Sequence, residues 1–340
     1  MTHKPKVLFL DTVHPTLHKE LETLNFDCVE LSALGNIKIH EIIEDYHGIV
    51  LRSKITLNKE ILSKATNLKF IARAGAGMEN IDVEYAEKMG IHCIKAPEGN
   101  MDAVADHAMG MLLSLFNNLN KADLEVRQGI WERESNRGVE LSGKTVGILG
   151  YGCTGGAFAK RLKGFDTKVL AYDKYKKGFS DNYVEESSME QIFAEADILS
   201  LHLPHTDETD YLIDQPFIDQ FKKPFYLINT SRGKIIRTKD LVSNLKSKNI
   251  LGACLDVLEY ESSSFERLKG LGMWTNKRGV LINRLGAWLM KTGFWIYLHP
   301  VQYLVKCKNV VLSPHVAGWS FESYEKISLV LAKRIKEMDH

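Results

Sequence analysis

The chain has 340 residues, 44 Lys+Arg against 43 Asp+Glu for a formal charge of +1, and 44% hydrophobic residues, with 14 Phe, 12 Tyr and 5 Trp. This balance excludes a disordered chain and argues against a nucleic-acid-coating protein, which carries a basic excess; the length predicts two domains. The five cysteines (Cys28, Cys93, Cys153, Cys254, Cys307) are scattered and form no Cys-x-x-Cys pair, so free thiols in a reducing compartment are expected rather than a disulfide framework or a metal site.

In chain order, Val7–Leu10 reads as a strand and His14–Leu24 as a helix. Strands are then expected at Gly48–Leu51 and Phe70–Ala72, with helices at Ile37–Tyr46, Lys59–Ala65 and Val83–Met89. Strands alternating with helices of this size imply βαβ units and a parallel sheet. The N-terminus runs straight into the first strand with no apolar signal core, which makes the cytoplasm the expected location.

Ala96-Pro97-Glu98-Gly99-Asn100 reads as a turn cluster before a long helix, with Asp102 as its expected cap and Val104, Ala108, Met111, Leu112 and Leu115 on a helical period. That helix links one domain to the next. After Gly143 a second alternation begins, with strands at Thr145–Leu149, Lys168–Tyr172, Ile198–Leu201, Tyr226–Asn229, Gly252–Leu255 and Val310–Leu312. Six such strands predict a complete doubly wound parallel sheet. The fold class expected is therefore α/β, with two doubly wound domains.

Gly150-Tyr-Gly152-Cys153-Thr154-Gly155 follows the strand Thr145–Leu149 and opens a helix expected at Ala157–Leu162. The first glycine permits the tight turn, the second lets backbone approach a pyrophosphate, and the third lets helix pack on strand. The helix N-terminus then offers unpaired N–H groups to the anion. Asp173 ends the next strand, 23 residues after Gly150, where an acceptor for a ribose 2′-hydroxyl belongs. A carboxylate there favours NAD over NADP.

Around this fingerprint the chain resembles the D-isomer-specific 2-hydroxyacid dehydrogenase family over residues 1–260 and 310–340. The blocks that carry the resemblance are Arg73-Ala-Gly-Ala-Gly-Met-Glu-Asn-Ile-Asp82, Asn229-Thr-Ser-Arg-Gly233, Gly252-Ala-Cys-Leu-Asp-Val257 and Ser313-Pro-His-Val-Ala-Gly318. Trp131-Glu-Arg133 and Arg52-Ser53-Lys54 look most like the phosphoglycerate dehydrogenases within it. The resemblance implies a Rossmann NAD-binding domain at 101–317, a flavodoxin-like substrate domain at 1–100 and 318–340, reaction in the cleft between them, and a homodimer formed through 101–142.

It also implies site residues. Arg232 would clamp the substrate carboxylate and C2 oxygen, a task for a planar, permanently charged fork. His315 would be the acid/base and Glu261 the partner that fixes its tautomer. Leu203 and Thr230 would give backbone contacts to NAD, Asp256 would lie near the nicotinamide, and Gly318 is placed with the cofactor set. Cys153 and Thr154 stand where relatives often carry an arginine and an aliphatic residue, a departure that alters pyrophosphate contacts without removing the glycines. Ala76 and Gly77 would hold the substrate carboxylate through backbone N–H groups. Arg52, Ser53, Lys54 and Arg73 would meet a phosphate, with Arg133 serving the adjacent subunit.

The expected substrate is a small 2-hydroxy or 2-keto acid, with 3-phosphoglycerate ahead of hydroxypyruvate or glyoxylate. A second class of reading is an NAD(H)-sensing regulatory protein, as the family's transcriptional corepressors are; no nucleic-acid or membrane partner is expected.

The stretch 262–310 is longer than the resemblance accounts for. It holds eight Lys+Arg against one acid, Glu266, for a charge of +7, and three tryptophans, Trp274, Trp288 and Trp295. The rest of the chain is then −6. The segment reads as a basic insertion packed over the cofactor domain or against another subunit. Leu285–Val305 is largely apolar, but Lys291, His299, Pro300 and Gln302 interrupt it, which counts against a membrane-spanning helix.

Overall fold

A computed structural model describes residues 4–35, 38–261 and 300–338 of the chain. It divides into two compact units, Met1–Val104 with Gly318–His340, and Ala105–Ala317. Each is built on a wholly parallel sheet with helices in the connections. Among the described residues, no helix is long and apolar enough to cross a membrane.

In the first unit, five strands, β1 (Lys6–Phe9), β2 (Asp27–Glu30), β3 (Gly48–Leu51), β4 (Phe70–Arg73) and β5 (His92–Lys95), lie in the order β2-β1-β3-β4-β5. The central strands β3 and β4 are buried at every position, which is why they read as unbroken apolar runs. One face packs Leu17 and Leu21 of the helix Pro15–Thr23 together with Ile327, Leu331 and Ile335 of the C-terminal helix Phe321–Met338.

The expected helix over Ile37–Tyr46 is a short turn, Ile39–Ile42, followed by a 3-10 turn, Ile43–Asp45; residues 36–37 lie outside the described chain. The 97–100 cluster is not a turn but the first turn of the helix Pro97–Phe116. Proline suits the first helical position, where its missing N–H costs no intrahelical bond. Asp102 therefore sits inside this helix instead of capping it, and its carboxylate meets Lys326 Nζ at 3.3 Å.

In the second unit, seven strands, β6 (Thr145–Leu149), β7 (Lys168–Tyr172), β8 (Val184–Glu186), β9 (Ile198–Leu201), β10 (Phe225–Asn229), β11 (Ile250–Leu255) and β12 (Val310–Leu312), lie in the order β12-β11-β10-β9-β6-β7-β8. The strand order reverses between β6 and β9, the point where doubly wound sheets bind their ligands. The fingerprint helix spans Cys153–Leu162 and so begins four residues before the position expected for it.

The registers align one row across this sheet: Tyr172, Leu149, Leu201, Asn229, Leu255 and Leu312 are successive partners. The segments that follow them leave the sheet side by side at its carboxyl end.

The expected basic insertion lies outside the described residues over 262–299. Its last part is no appendage: Pro300–Lys306 is a helix whose Val301 and Leu304 are buried, Leu304 within the core of the second unit, and β12 begins at Val310. Hydrophobic spacing at 301 and 304 suits a helix laid on a sheet.

Candidate functional site

The row of strand ends explains why residues distant in sequence gather. Gly150 follows Leu149, Asp173 follows Tyr172, Thr230 follows Asn229, Asp256 follows Leu255, Ser313 follows Leu312, and Leu203 stands two residues past Leu201.

The glycines of the fingerprint have separable causes. Gly150 has φ +92°, and a Cβ there would be driven into the His202 carbonyl oxygen; one at Gly155 would strike the Gly150 carbonyl oxygen. Protein packing thus requires both. A Cβ at Gly152, the residue before the helix, would meet no protein atom within 4 Å. Its small size is explained by close approach of something other than the chain, at a helix N-terminus suited to an anion. Cys153 and Thr154 form the first turn of that helix.

Two further observations fit a dinucleotide there. Thr230 Oγ1 is buried with no hydrogen-bond partner among the described residues, although buried hydroxyls are nearly always paired. Asp173 accepts from the backbone N–H groups of Tyr151 (2.8 Å), Tyr175 (2.9 Å) and Lys176 (2.9 Å). Burial raises its pKa, but these bonds outweigh burial and hold the carboxyl below the ordinary aspartate value. An ionised acceptor stands where a ribose hydroxyl would donate. Leu203 donates its N–H to Ser231 Oγ at 3.2 Å, which leaves its carbonyl as the group for a ligand.

The three expected catalytic residues leave the adjacent strands β10, β11 and β12. Arg232 is half-buried and extended, and its Nη1 donates to the Ser231 carbonyl at 2.7 Å. The turn that carries it is fixed by Asn229, whose side chain donates to the Arg232 carbonyl (3.0 Å) and accepts from Ser231 N–H (3.0 Å). Ser231 Oγ in turn donates to the Leu201 carbonyl at 2.6 Å.

Glu261 Oε2 lies 2.6 Å from His315 Nδ1, and both side chains are about four-fifths buried, at 17% and 20% exposure. Glu261 Oε1 accepts from Leu258 N–H, which folds the 258–261 loop back on itself. A short charge-assisted bond of this kind fixes both the ring's orientation and its tautomer. His315 adopts φ +56°, a left-handed conformation unusual for a side chain of this size.

Asp256 is 2% exposed, and its carboxylate accepts from Ser313 Oγ (2.6 Å), Val316 N (2.9 Å) and Ala317 N (2.9 Å). Its oxygens therefore serve the His315 loop. Gly318 belongs to the other unit, where a Cβ would come within 2.6 Å of Asn100 Nδ2; packing accounts for that glycine.

In the first unit the expected substrate residues follow β3 and β4, which pair through Leu51 and Arg73. Asp11, 4% exposed, accepts from Arg52 N at 2.6 Å and Lys54 N at 3.4 Å and lies 3.8 Å from Lys54 Nζ. The Arg52 guanidinium stacks on Trp319, 3.9 Å from the ring centroid. Burial pulls its pKa below the ordinary guanidinium value, partly offset by Tyr324 and Asp11. Ser53 is half-buried in the same bend, and Lys54 is exposed. Arg73 is buried with its guanidinium against Gly75, and Ala76 and Gly77 follow in the half-buried turn.

Sequence reasoning did not single out Asn229, Ser231, Ser313 or Trp319 for their roles. The first three sit inside quoted blocks; the Asn229 bonds are local to its turn, whereas the bond from Ser231 to Leu201 depends on the pairing of β9 with β10.

Residues 109–317 match the D-isomer specific 2-hydroxyacid dehydrogenase, NAD binding domain. The chain is 30% identical over 329 residues to the D-3-phosphoglycerate dehydrogenase of Archaeoglobus fulgidus, covering 95% of this chain and 56% of that protein. It is 31% identical over 327 residues to the hydroxypyruvate reductase of Thermotoga maritima, covering 95% and 96%. It thus spans little more than half of the first relative and nearly all of the second. Among solved structures, the D-lactate dehydrogenase of Aquifex aeolicus complexed with NAD and lactic acid superposes with a TM-score of 0.73 at 26% identity, covering 98% of this chain and 95% of that one.

Proposed function

The chain belongs to the D-isomer-specific 2-hydroxyacid dehydrogenases, NAD-dependent oxidoreductases, and from that membership we propose that it interconverts a D-2-hydroxy acid and its 2-keto acid, with 3-phosphoglycerate as the hydroxy acid. The observation that carries the reaction is the 2.6 Å contact between Glu261 Oε2 and His315 Nδ1 on loops that leave the sheet beside the one bearing Arg232.

NAD, when bound, supplies the hydride acceptor or donor. Gly150, Gly152 and Gly155 with the first turn at Cys153 and Thr154 hold its pyrophosphate, Asp173 takes the ribose hydroxyls, and Leu203 and Thr230 line its path. Arg232 binds the substrate carboxylate and the C2 oxygen, and there stabilises the charge that develops on that oxygen during reduction. With Nδ1 committed to Glu261, proton exchange with the C2 oxygen falls to His315 Nε2. Glu261 accepts the hydrogen bond from Nδ1 and steadies the ring as its charge changes, so the proton moves between His315 and substrate only. Asp256 holds the loop that aims the imidazole.

Arg52, Lys54 and Arg73 supply cations for a phosphate, and the backbone at Ala76 and Gly77 offers donors to a carboxylate. The gathering of these residues at the ends of the paired strands β3 and β4 supports the phosphorylated substrate. Hydroxypyruvate or glyoxylate reduction is the second reading, favoured by the match over nearly the full length of a hydroxypyruvate reductase. Under the first reading the protein works in serine biosynthesis in the cytoplasm.

We further propose a homodimer through 101–142. Leu124 and Val126 of the helix Leu119–Arg127 and Trp131, at 79% exposure, present apolar surface there. Sedimentation at micromolar concentration tests it: a monomer would refute it.

Initial rates with 3-phosphoglycerate, hydroxypyruvate, glyoxylate and D-lactate, each with NAD(H) and NADP(H), test the substrate. The proposal expects the highest kcat/KM with 3-phosphoglycerate and NAD. Equal kcat/KM for phosphorylated and unphosphorylated three-carbon acids would remove the phosphate role of Arg52, Lys54 and Arg73. NADH binding without turnover on any of the four acids would point to an NAD(H)-sensing regulator instead.

A further inference from the structure

The reaction proposed above uses one histidine. A second, His107, stands on the helix Pro97–Phe116 in the same unit and is 28% exposed. Its Nε2 lies 2.9 Å from Ser313 Oγ and 3.7 Å from Asp256 Oδ1.

The direction of each bond follows from the donors available. An ionised carboxylate only accepts. Ser313 has one hydroxyl proton, and its three candidate acceptors are Asp256 Oδ1 at 2.6 Å, an unprotonated His107 Nε2 at 2.9 Å and the Met111 sulfur at 3.5 Å. The carboxylate is both the nearest and the strongest acceptor, so it takes the proton. Ser313 Oγ must then accept from His107, which fixes His107 with a proton on Nε2. The result is a directed chain, His107 to Ser313 to Asp256.

That chain ends at the backbone bearing the acid/base. Asp256 accepts from Val316 N and Ala317 N, and its carbonyl accepts from His315 N at 2.8 Å. These bonds bracket His315, whose left-handed φ of +56° needs its neighbours to hold it. Without the bond from His107, Ser313 could rotate its hydroxyl towards Met111 or water, and Asp256 would lose one of its three donors.

We propose that His107 is a positioning residue for His315, acting through Ser313 and Asp256 on the 313–317 loop. This rests on the reading of His315 as the acid/base, and it places no proton on or off the substrate at His107. A donor at this position is what matters, so glutamine, with an Nε2 donor of similar reach, should replace histidine in part.

The test compares the wild-type protein with His107→Ala, His107→Gln and Ser313→Ala. Turnover is followed with whichever of the four acids above the wild-type protein uses best, NADH affinity by fluorescence, and backbone order by hydrogen exchange at Val316 and Ala317. For His107→Ala the expectation is a kcat lower by about 10-fold or more, since small misplacements remote from the reacting atoms carry costs of this size. NADH affinity should stay within about 2-fold and exchange at Val316 and Ala317 should rise about 10-fold, with His107→Gln within about 3-fold of wild type on both measures.

Unchanged kcat and exchange in His107→Ala would overturn the proposal, as would equal impairment in the Ala and Gln variants. If His107→Ala does not fold, Ser313→Ala removes the same link and must show the same pair of effects. If the wild-type protein turns over nothing, the dehydrogenase reading fails by itself, and the exchange data alone decide whether His107 orders the loop.

Discussion

Gly233 and Leu258 are packed so closely that a Cβ on the glycine would be driven into the Leu258 carbonyl and would stand 2.6 Å from Glu259 N. The contact joins the turn bearing Arg232 to the loop bearing Glu261. Glu259 reinforces it by accepting from Tyr211 OH at 2.9 Å and Thr238 N at 2.9 Å. Clamp and acid/base partner are thus held by one backbone contact.

Gly233→Ala should therefore disturb both residues at once. The backbone on the other side cannot rotate away as a side chain could, so the expected loss is about 1–3 kcal/mol of stability. Chemical denaturation measures the first effect, and kcat, which should fall with it, measures the second.

Arg232→Lys keeps the charge and loses the fork. Binding of a carboxylate and C2 oxygen by two parallel donors is lost with it, and kcat/KM for the keto acid should fall by about 100-fold or more, equivalent to about 2.7 kcal/mol of transition-state stabilisation. NADH binding, measured by fluorescence, should be unaffected. A matching loss of NADH affinity would place the guanidinium in the cofactor site instead.

Asp173→Ala removes the acceptor of three backbone N–H groups as well as the expected ribose contact. KM for NADH should rise by about 10-fold, a loss of about 1.4 kcal/mol, with a smaller change in kcat. Steady-state kinetics at saturating keto acid separates the two.

Protein stability should depend on pH through His202. Burial pushes its pKa from 6.5 down to about 3. Below 6.5 the unfolded chain takes up a proton that the folded chain does not, so stability is retained above that value and declines as pH falls from 6.5 towards 3. The contribution to the slope is about 1.4 kcal/mol per pH unit in the middle of that window. Urea unfolding of His202→Gln should show a shallower decline over the same range, and identical slopes would assign the acid sensitivity to other groups.

The legibility of the fold in the sequence follows burial. Strands with no exposed positions, such as Gly48–Leu51 and Ile198–Leu201, stand out as continuous apolar runs. The strands passed over, Asp27–Glu30, His92–Lys95 and Val184–Glu186, are all outermost in their sheets. Their exposed edges carry charged residues, and a short edge strand has no periodicity to distinguish it from loop.

The site was legible in a different way. Gly150, Gly152, Gly155 and Asp173 have a local spacing with a physical reason. Arg232, Glu261 and His315 rest on family resemblance, because alone each is an ordinary polar residue. The supporting bonds were not legible at all: His107 meets Ser313 across 206 positions and Asp256 meets Ala317 across 61. The register of β11 and β12 brings Asp256 to the loop bearing Ala317, and His107 reaches Ser313 from the helix Pro97–Phe116.

Single-turnover reduction by His315→Asn, with NADH prebound and the keto acid that the wild-type protein uses best, shows whether His315 moves the proton while its partner Glu261 only aims it. The expected rate is lower by about 10²- to 10⁴-fold, with NADH affinity within about 2-fold of wild type. A rate within a few-fold of wild type would contradict that role for His315.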